Sequence, residues 1–182
     1  MACKDVASFT MKTQRPFFNL CWAAAALSVD LWHNLGRNQL PQWTSLCQVV
    51  QDTPPQQPGC CPNMSLPGCD HTGDVVVALQ VHGLVTGSRN PPVLSNPRSV
   101  DFKWNSVIKH EIDNNRVVSA SISWAGGGGH EVVIWGYCED KTGRTVKVLD
   151  PWFDPFPDQS FTDFLTNYRS VGGRCIEFNM VS

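Results

Sequence analysis

Apolar residues follow a helical spacing near the start of the chain, within residues 14–35. Four of them recur at every fourth position: Ala23, Leu27, Leu31 and Leu35. This spacing predicts a helix with one buried face, and Gly36 can end it in the left-handed backbone conformation. Cys21 stands where a proline-containing loop becomes this helix, so we expect it in or near the first helical turn.

Similar spacing predicts four further helical segments, which cover residues 42–51, 73–81, 102–114 and 161–167. Two connections between them, residues 52–72 and 84–98, are rich in proline and glycine and are predicted to be loops. Long loops inside compact domains are usually functional or cross-linked. The loop of residues 52–72 is therefore a candidate for cross-linking.

Alternation of apolar and polar residues begins after residue 116 and predicts strands at residues 117–124, 131–137, 145–149 and 175–181. Residues 1–13 are predicted to be an irregular lead-in or an edge strand. Because helices precede strands along the chain, the pattern predicts an α+β fold. We expect one domain over residues 1–182, with a helical subdomain at about 14–115 and a β subdomain at about 116–182.

Net charge and hydrophobicity limit the classes of partner that this chain is expected to bind. The net charge is -2 with scattered basic residues, so we expect neither a nucleic-acid partner nor an anionic membrane surface. No apolar run approaches the roughly 20 residues of a membrane span, and the N-terminus is too polar for a cleaved signal peptide. We expect a protein that stays in the cytoplasm, leaves the cell by another route, or is part of a longer chain.

The chain contains eight cysteines: Cys3, Cys21, Cys47, Cys60, Cys61, Cys69, Cys138 and Cys175. Four of them fall between residues 47 and 69, a density that predicts disulfides and an oxidising destination. The pairing stays open. A zinc site is the alternative, with His71 as a further ligand, but adjacent Cys60 and Cys61 fit poorly with the usual Cys-x-x-Cys turn. We expect no metal and no cofactor.

Cys21 is the candidate nucleophile. Unpaired N–H groups and the helix dipole place partial positive charge at the start of a helix, which favours the reactive thiolate. The alternative is that Cys21 is a small buried hydrophobic residue, as most free cysteines are.

His130 and Asp150 are the candidate partners of this thiol. His130 follows the glycines of residues 126–129 and opens a predicted strand, whereas Asp150 ends the next one. If these strands are antiparallel neighbours, Asp150 can reach the far ring nitrogen of His130 and fix its tautomer, with Trp152 covering the bond from water. The alternatives are a mobile glycine loop around an incidental histidine, and a plain turn at Asp150.

Three motifs occur in one order: Cys-Trp-Ala at residues 21–23, Gly-His-Glu-Val-Val-Ile-Trp-Gly-Tyr at 129–137 and Asp-Pro-Trp at 150–152. Over residues 14–155 the chain resembles the papain-like cysteine proteases, most closely the bacterial effector or toxin proteases and the double-glycine leader peptidases. The resemblance implies a papain-like fold with a cleft between its halves and a protein or peptide substrate. It implies that Cys21 is the nucleophile, His130 the base and acid, and Asp150 the residue that orients His130.

The resemblance also implies an oxyanion-hole glutamine, and Gln14 is the candidate. Gln14 stands one position farther from Cys21 than the family pattern has it, and Asn19 is a substitute donor. The chain shows no recognisable propeptide, so we expect control by a separate inhibitor or immunity protein, or delivery before activation.

From these features we expect a secreted or injected bacterial effector or toxin, a virulence protease. Two other readings stay open. One is an amidase or acyltransferase on the same fold, although the Asp-Cys-Ser-Gly start of cell-wall enzymes is absent. The other is a non-catalytic binding domain.

Overall fold

A computed structural model gives the structure of the chain and describes residues 1–91, 95–153 and 157–181. The helices are α1 (Cys21–Leu35), α2 (Leu46–Asp52), α3 (Val75–Gln80), α4 (Pro97–Lys103), α5 (His110–Asp113) and α6 (Phe161–Thr166), and a π-helical segment (Trp104–Lys109) joins α4 to α5. The strands are β1 (Ala2–Asp5), β2 (Val85–Arg89), β3 (Val118–Trp124), β4 (Gly129–Glu139), β5 (Arg144–Leu149), β6 (Gln159–Ser160) and β7 (Gly173–Val181).

These strands form one antiparallel sheet in the order β2-β7-β3-β4-β5-β6, and β1 pairs with the far end of β4. In the register, Ile122 of β3 lies opposite His130, and Val133 of β4 lies opposite Leu149 of β5. Since β4 and β5 are neighbours, the start of β4 and the residue after β5 meet at the same end of the sheet. This pairing is the one that the sequence required for His130 and Asp150.

Helix α1 packs against β4, α2 and α3. Its first turns are buried on all sides, including Trp22 and the four alanines of residues 23–26. Alanine has a small side chain and the highest intrinsic helix propensity, so this run both forms the helix and lets the sheet approach closely. The α+β prediction is confirmed, because the chain combines helices with one antiparallel sheet.

The end of α1 differs from its prediction. Leu35 is 60% exposed, so the predicted apolar stripe is buried only in its first part. Gly36 keeps right-handed helical angles, with φ at -64°, whereas Asn38 is left-handed at φ 55°. The helical turn therefore continues past Gly36 and stops at Asn38, because asparagine tolerates the left-handed region almost as well as glycine.

Helix α2 starts later than predicted, at Leu46 instead of residue 42. The backbone N–H of Trp43 donates to Asp30 of α1 at 2.9 Å, and the Trp43 ring is fully buried. A tertiary contact thus replaces the first turn of the predicted helix.

The predicted loop of residues 84–98 was partly wrong. It contains β2, which pairs with β7 at the sheet edge, and the start of α4, so the following helical segment begins five residues earlier than predicted. Residues 92–94 of that loop lie outside the described residues. Strand β2 also shows that the predicted helical part of the chain contributes to the sheet.

Six cysteines form disulfides: Cys3–Cys138, Cys47–Cys61 and Cys60–Cys69. The last two tie the proline-rich loop to itself and to α2. The sulfurs of all four candidate zinc-binding cysteines are thereby joined in pairs, and the described residues contain no group of three or more side chains suited to a metal ion. Cys21 and Cys175 are free thiols, and Cys175 is buried.

No helix in the described part of the chain has the length and apolar character needed to cross a bilayer.

Candidate active site

Cys21 is the first residue of α1 and is half-buried. Its N–H lies ahead of the helical hydrogen-bond ladder, in the positive field of the helix start. The Cys21 side chain lines a cleft of about 340 Å³, together with Trp22 of the same helix, His130 and Glu131 of β4 and Glu177 of β7. The structure therefore places the predicted nucleophile on the wall of a cleft between α1 and the sheet.

His130 opens β4 directly after a tight glycine turn. Gly127 and Gly128 have left-handed φ angles of 91° and 84°, and the Gly127 N–H donates to the Trp124 carbonyl at 3.0 Å. The Trp124 ring stacks on the imidazole with centroids 5.9 Å apart. The glycine segment is thus a hydrogen-bonded turn that fixes the position of His130.

The Nε2 atom of His130 lies 2.8 Å from Oδ1 of Asp150. Both side chains are buried, at 9% and 0% exposure. Cys21 interacts with the same imidazole. Because Nε2 is engaged by Asp150, Nδ1 is the ring nitrogen left for the sulfur. The structure therefore brings the three predicted catalytic side chains together.

Electrostatics favour a charged imidazole. Burial by itself lowers the pKa of His130, but the hydrogen bonds to Asp150 and Cys21 outweigh it and raise that pKa to about 9. Burial acts to raise the pKa of Asp150, yet the hydrogen bond to His130 and its positive charge hold that pKa below its usual value. Both shifts favour an ion pair between imidazolium and carboxylate.

Asp150 also organises the turn that follows it. Its Oδ1 accepts the backbone N–H groups of Trp152 at 2.9 Å and Phe153 at 3.2 Å. The Asp150 carboxylate therefore accepts hydrogen bonds within its own turn and also contacts His130, so the two alternatives that the sequence left open for Asp150 do not exclude each other.

The family model described as "Papain-like cysteine protease AvrRpt2" matches residues 5–169 of this chain. The chain belongs to this family. The family therefore confirms the sequence prediction of a papain-like cysteine protease, and with it a cysteine-protease hydrolase.

A comparison with curated proteins found no match. Among solved structures, procathepsin L 3 from the larval midgut of Tenebrio molitor is similar at 15% identity and a TM-score of 0.45. The alignment covers 84% of this chain and 60% of that one, so the chain spans about three fifths of that procathepsin's length.

Gln14 of this papain-like protease is buried beside the site. It lines a small pocket with Phe18, His130 and Trp152. Its Nε2 donates to the carbonyls of Phe17 and Phe18, each at 3.1 Å, and its Oε1 has no hydrogen-bond partner among the described residues. The oxyanion role of Gln14 stays a prediction, since it requires one of these donated bonds to be exchanged for one to the substrate.

Asn19, the substitute donor, also lines the cleft, but its side-chain amide is engaged by the neighbouring loop. Its Nδ2 donates to the Asp70 carbonyl at 3.2 Å.

Trp152 was expected to cover the bond between His130 and Asp150. The structure places it in the small pocket beside His130, half-buried and in contact with Phe18, with ring centroids 5.2 Å apart. The ring stacked on His130 is Trp124, which the sequence reasoning did not single out.

Glu131 is a second buried group that sequence reasoning missed in this protease. Burial raises the pKa of Glu131 to about 7, against the hydrogen bonds from Ser119 and Ser121 that act to lower it. These hydroxyls donate to the carboxyl oxygens at 2.5 and 2.8 Å. The signal was present in the sequence, because two serines alternate along β3 opposite the strand that carries Glu131.

Proposed function

We propose that this protease is an endopeptidase in which Cys21 attacks the peptide bond, His130 moves the proton and Asp150 orients His130. The observation that carries the proposal is that Cys21 and His130 line one cleft, while buried Asp150 binds the His130 ring from behind. The distance of 2.8 Å between His130 Nε2 and Asp150 Oδ1 supports the orienting role of Asp150, and the interaction of the His130 ring with Cys21 supports proton transfer between them.

In the first step, the Cys21 thiol proton rests on His130, and the thiolate adds to the carbonyl carbon of the substrate. The carbonyl oxygen becomes negative, and the N–H of Cys21 at the start of α1 is positioned to donate to it. Gln14 is the second candidate donor.

In the second step, the tetrahedral adduct collapses and the C–N bond breaks. His130 gives its proton to the leaving amine, which departs as the new N-terminus. A water molecule then loses a proton to His130 and attacks the thioester, which releases the acid and regenerates the Cys21 thiol. Throughout, Asp150 holds the ring and stabilises its positive charge.

The test is cleavage of a peptide library by the wild type and by Cys21→Ala. The matched control is Cys175→Ser, which alters the other free thiol. We expect Cys21→Ala to lose cleavage by at least about a thousandfold, as for removal of a catalytic nucleophile, while Cys175→Ser keeps wild-type rates. Cleavage that survives in Cys21→Ala would sink the proposal.

We also propose that the enzyme acts after delivery out of the producing cell, as an effector or toxin controlled by a separate inhibitor. Three disulfides support an oxidising destination, and the sequence resemblance to effector proteases supports the role. The protein recovered from the growth medium should take up two alkyl groups under denaturing, non-reducing conditions, and eight after reduction. Recovery solely from the cytosol with eight free thiols would contradict delivery.

A further inference from the structure

We propose that Tyr168 is a positioning residue of this protease: its buried hydroxyl holds the second oxygen of Asp150, so that the first stays directed at His130. The inference rests on the proposed catalytic function, since Tyr168 acts on the reaction only through Asp150.

The geometry at Asp150 carries the argument. The Tyr168 hydroxyl donates to Oδ2 of Asp150 at 2.9 Å, and Tyr168 is fully buried. The other oxygen, Oδ1, receives His130 and two backbone N–H groups. A carboxylate held at one oxygen can still rotate about its Cβ–Cγ bond. Donors at both oxygens fix its plane and hence the direction of its bond to His130.

The fold fixes Tyr168 independently of Asp150. Its backbone N–H donates to the Gly173 carbonyl at 2.7 Å, at the start of β7. Its ring packs edge-on against Phe164 of α6, with centroids 5.6 Å apart, and lies 6.1 Å from the Trp124 ring that stacks on His130. The hydroxyl is therefore presented by a rigid frame, as a residue that positions another should be.

The Tyr168 hydroxyl stays protonated throughout the working pH range. Burial, with the negative charge of Asp150, raises the pKa of Tyr168 well above its usual value, so the group remains a donor. Its hydrogen bond in turn contributes to the lowered pKa of Asp150. The hydrogen bond to an ionised, fixed Asp150 is the largest of the interactions that raise the pKa of His130, ahead of the one to Cys21.

Other charged and titratable groups also face this pair. They are Cys21 at the start of α1, Glu131 beside His130 on β4, and Arg169, whose Nη1 lies 3.9 Å from Oδ2 of Asp150. Removing the Tyr168 hydroxyl keeps the side chains of Cys21 and Glu131. Arg169 also interacts with that hydroxyl, so a change in pH dependence reports the loss of the hydroxyl together with its contact to Arg169.

The experiment compares Tyr168→Phe with Tyr137→Phe. The chain has two tyrosines, and each donates a hydrogen bond to an aspartate. Tyr137 donates to Asp113 at 2.8 Å, away from the cleft, so its variant is a matched control for loss of one such bond.

We expect Tyr168→Phe to lower kcat by about tenfold and to change KM by no more than about twofold. A tenfold change in kcat is the size expected when one hydrogen bond to a charged group is lost. The alkaline limb of its kcat/KM profile should move to lower pH. A ring-proton NMR titration should show the pKa of His130 lowered from about 9. Tyr137→Phe should leave all three unchanged.

A Tyr168→Phe enzyme with the wild-type pH profile and the wild-type His130 titration would overturn the proposal. So would a variant that fails to fold, because that outcome assigns Tyr168 a structural role. These outcomes are separable from failure of the catalytic proposal. The NMR titration needs no turnover, and the catalytic proposal is tested separately, by cleavage in Cys21→Ala.

Discussion

The carboxylate of Asp70 accepts a 2.8 Å hydrogen bond from the backbone N–H of Asn19, two residues before Cys21. Its other oxygen accepts the N–H of Phe18 at 3.1 Å. The next residue in the proline-rich loop, His71, offers its carbonyl to the Trp22 indole at 3.0 Å. The residues on either side of Cys21, the proposed nucleophile, are thus held by a segment more than forty residues away along the chain.

Asp70→Ala should therefore loosen the chain in front of Cys21. We expect a loss of about 1–3 kcal/mol in the free energy of unfolding, because two backbone donors lose their acceptor, and a fall in kcat/KM. Urea unfolding and peptide hydrolysis measure the two effects. Asp101→Ala is the control, since Asp101 forms a surface ion pair with Arg144 that is worth little. Equal, small effects of both variants would refute this role of Asp70.

The Cys60–Cys69 disulfide closes the loop just before Asp70. Replacing both cysteines by serine should destabilise the protein by about 2–3 kcal/mol, mainly through greater freedom of the unfolded chain. We expect slower hydrolysis as well, because the loop carries Asp70. Thermal unfolding without reductant tests the first point. An unchanged Tm would show that the loop is held by its other contacts.

Activity should decline as pH rises through about 9. In the proposed mechanism the Cys21 thiolate attacks beside a protonated His130, and the pKa of His130 is about 9 rather than the ordinary 6.5. The stability that the ion pair adds has the same sign: it is complete below pH 6.5 and lost as pH rises through 9. A kcat/KM profile with its alkaline limb near pH 6.5 would contradict the ion pair.

Glu131 gives a second pH effect, on stability. Its pKa is about 7 in the folded protein against an ordinary 4.5, so folding favours the protonated form. The gain is complete below pH 4.5 and is lost as pH rises through 7, a change on the order of 3 kcal/mol. Glu131→Gln, which stays neutral, should flatten the dependence of the unfolding free energy on pH between 4.5 and 7. An identical slope in both proteins would refute it.

The sequence was most informative where local pattern and tertiary contact agree. Cys21 begins α1 as expected, because the alanines after it have high helix propensity and are small enough to be buried. The meeting of His130 with Asp150 followed from two neighbouring antiparallel strands and a turn between them. The start of α1 and the contact between His130 and Asp150 both depend on residues that lie within or next to the predicted elements.

Other features depend on contacts that no local pattern encodes. Trp43 is held outside a helix by Asp30, so α2 starts late. Strand β2 forms because β7 offers an open edge. Tyr168 stands at a turn in which Arg169 and Ser170 adopt left-handed φ angles of 57° and 58°. Neither arginine nor serine is a residue type from which such a turn would be predicted.

The central claim is that Cys21 is the activated thiol, and competitive labelling tests it most directly. Native protein is treated with limiting iodoacetamide at neutral pH, and modified peptides are quantified by mass spectrometry in the wild type and in His130→Gln. Burial raises the pKa of the Cys175 thiol and shields it, so Cys175 is an internal reference. We predict modification of Cys21 first, slowed at least about tenfold in His130→Gln, since the thiolate is the reactive form. Faster labelling of Cys175, or equal Cys21 rates in both proteins, would contradict the account.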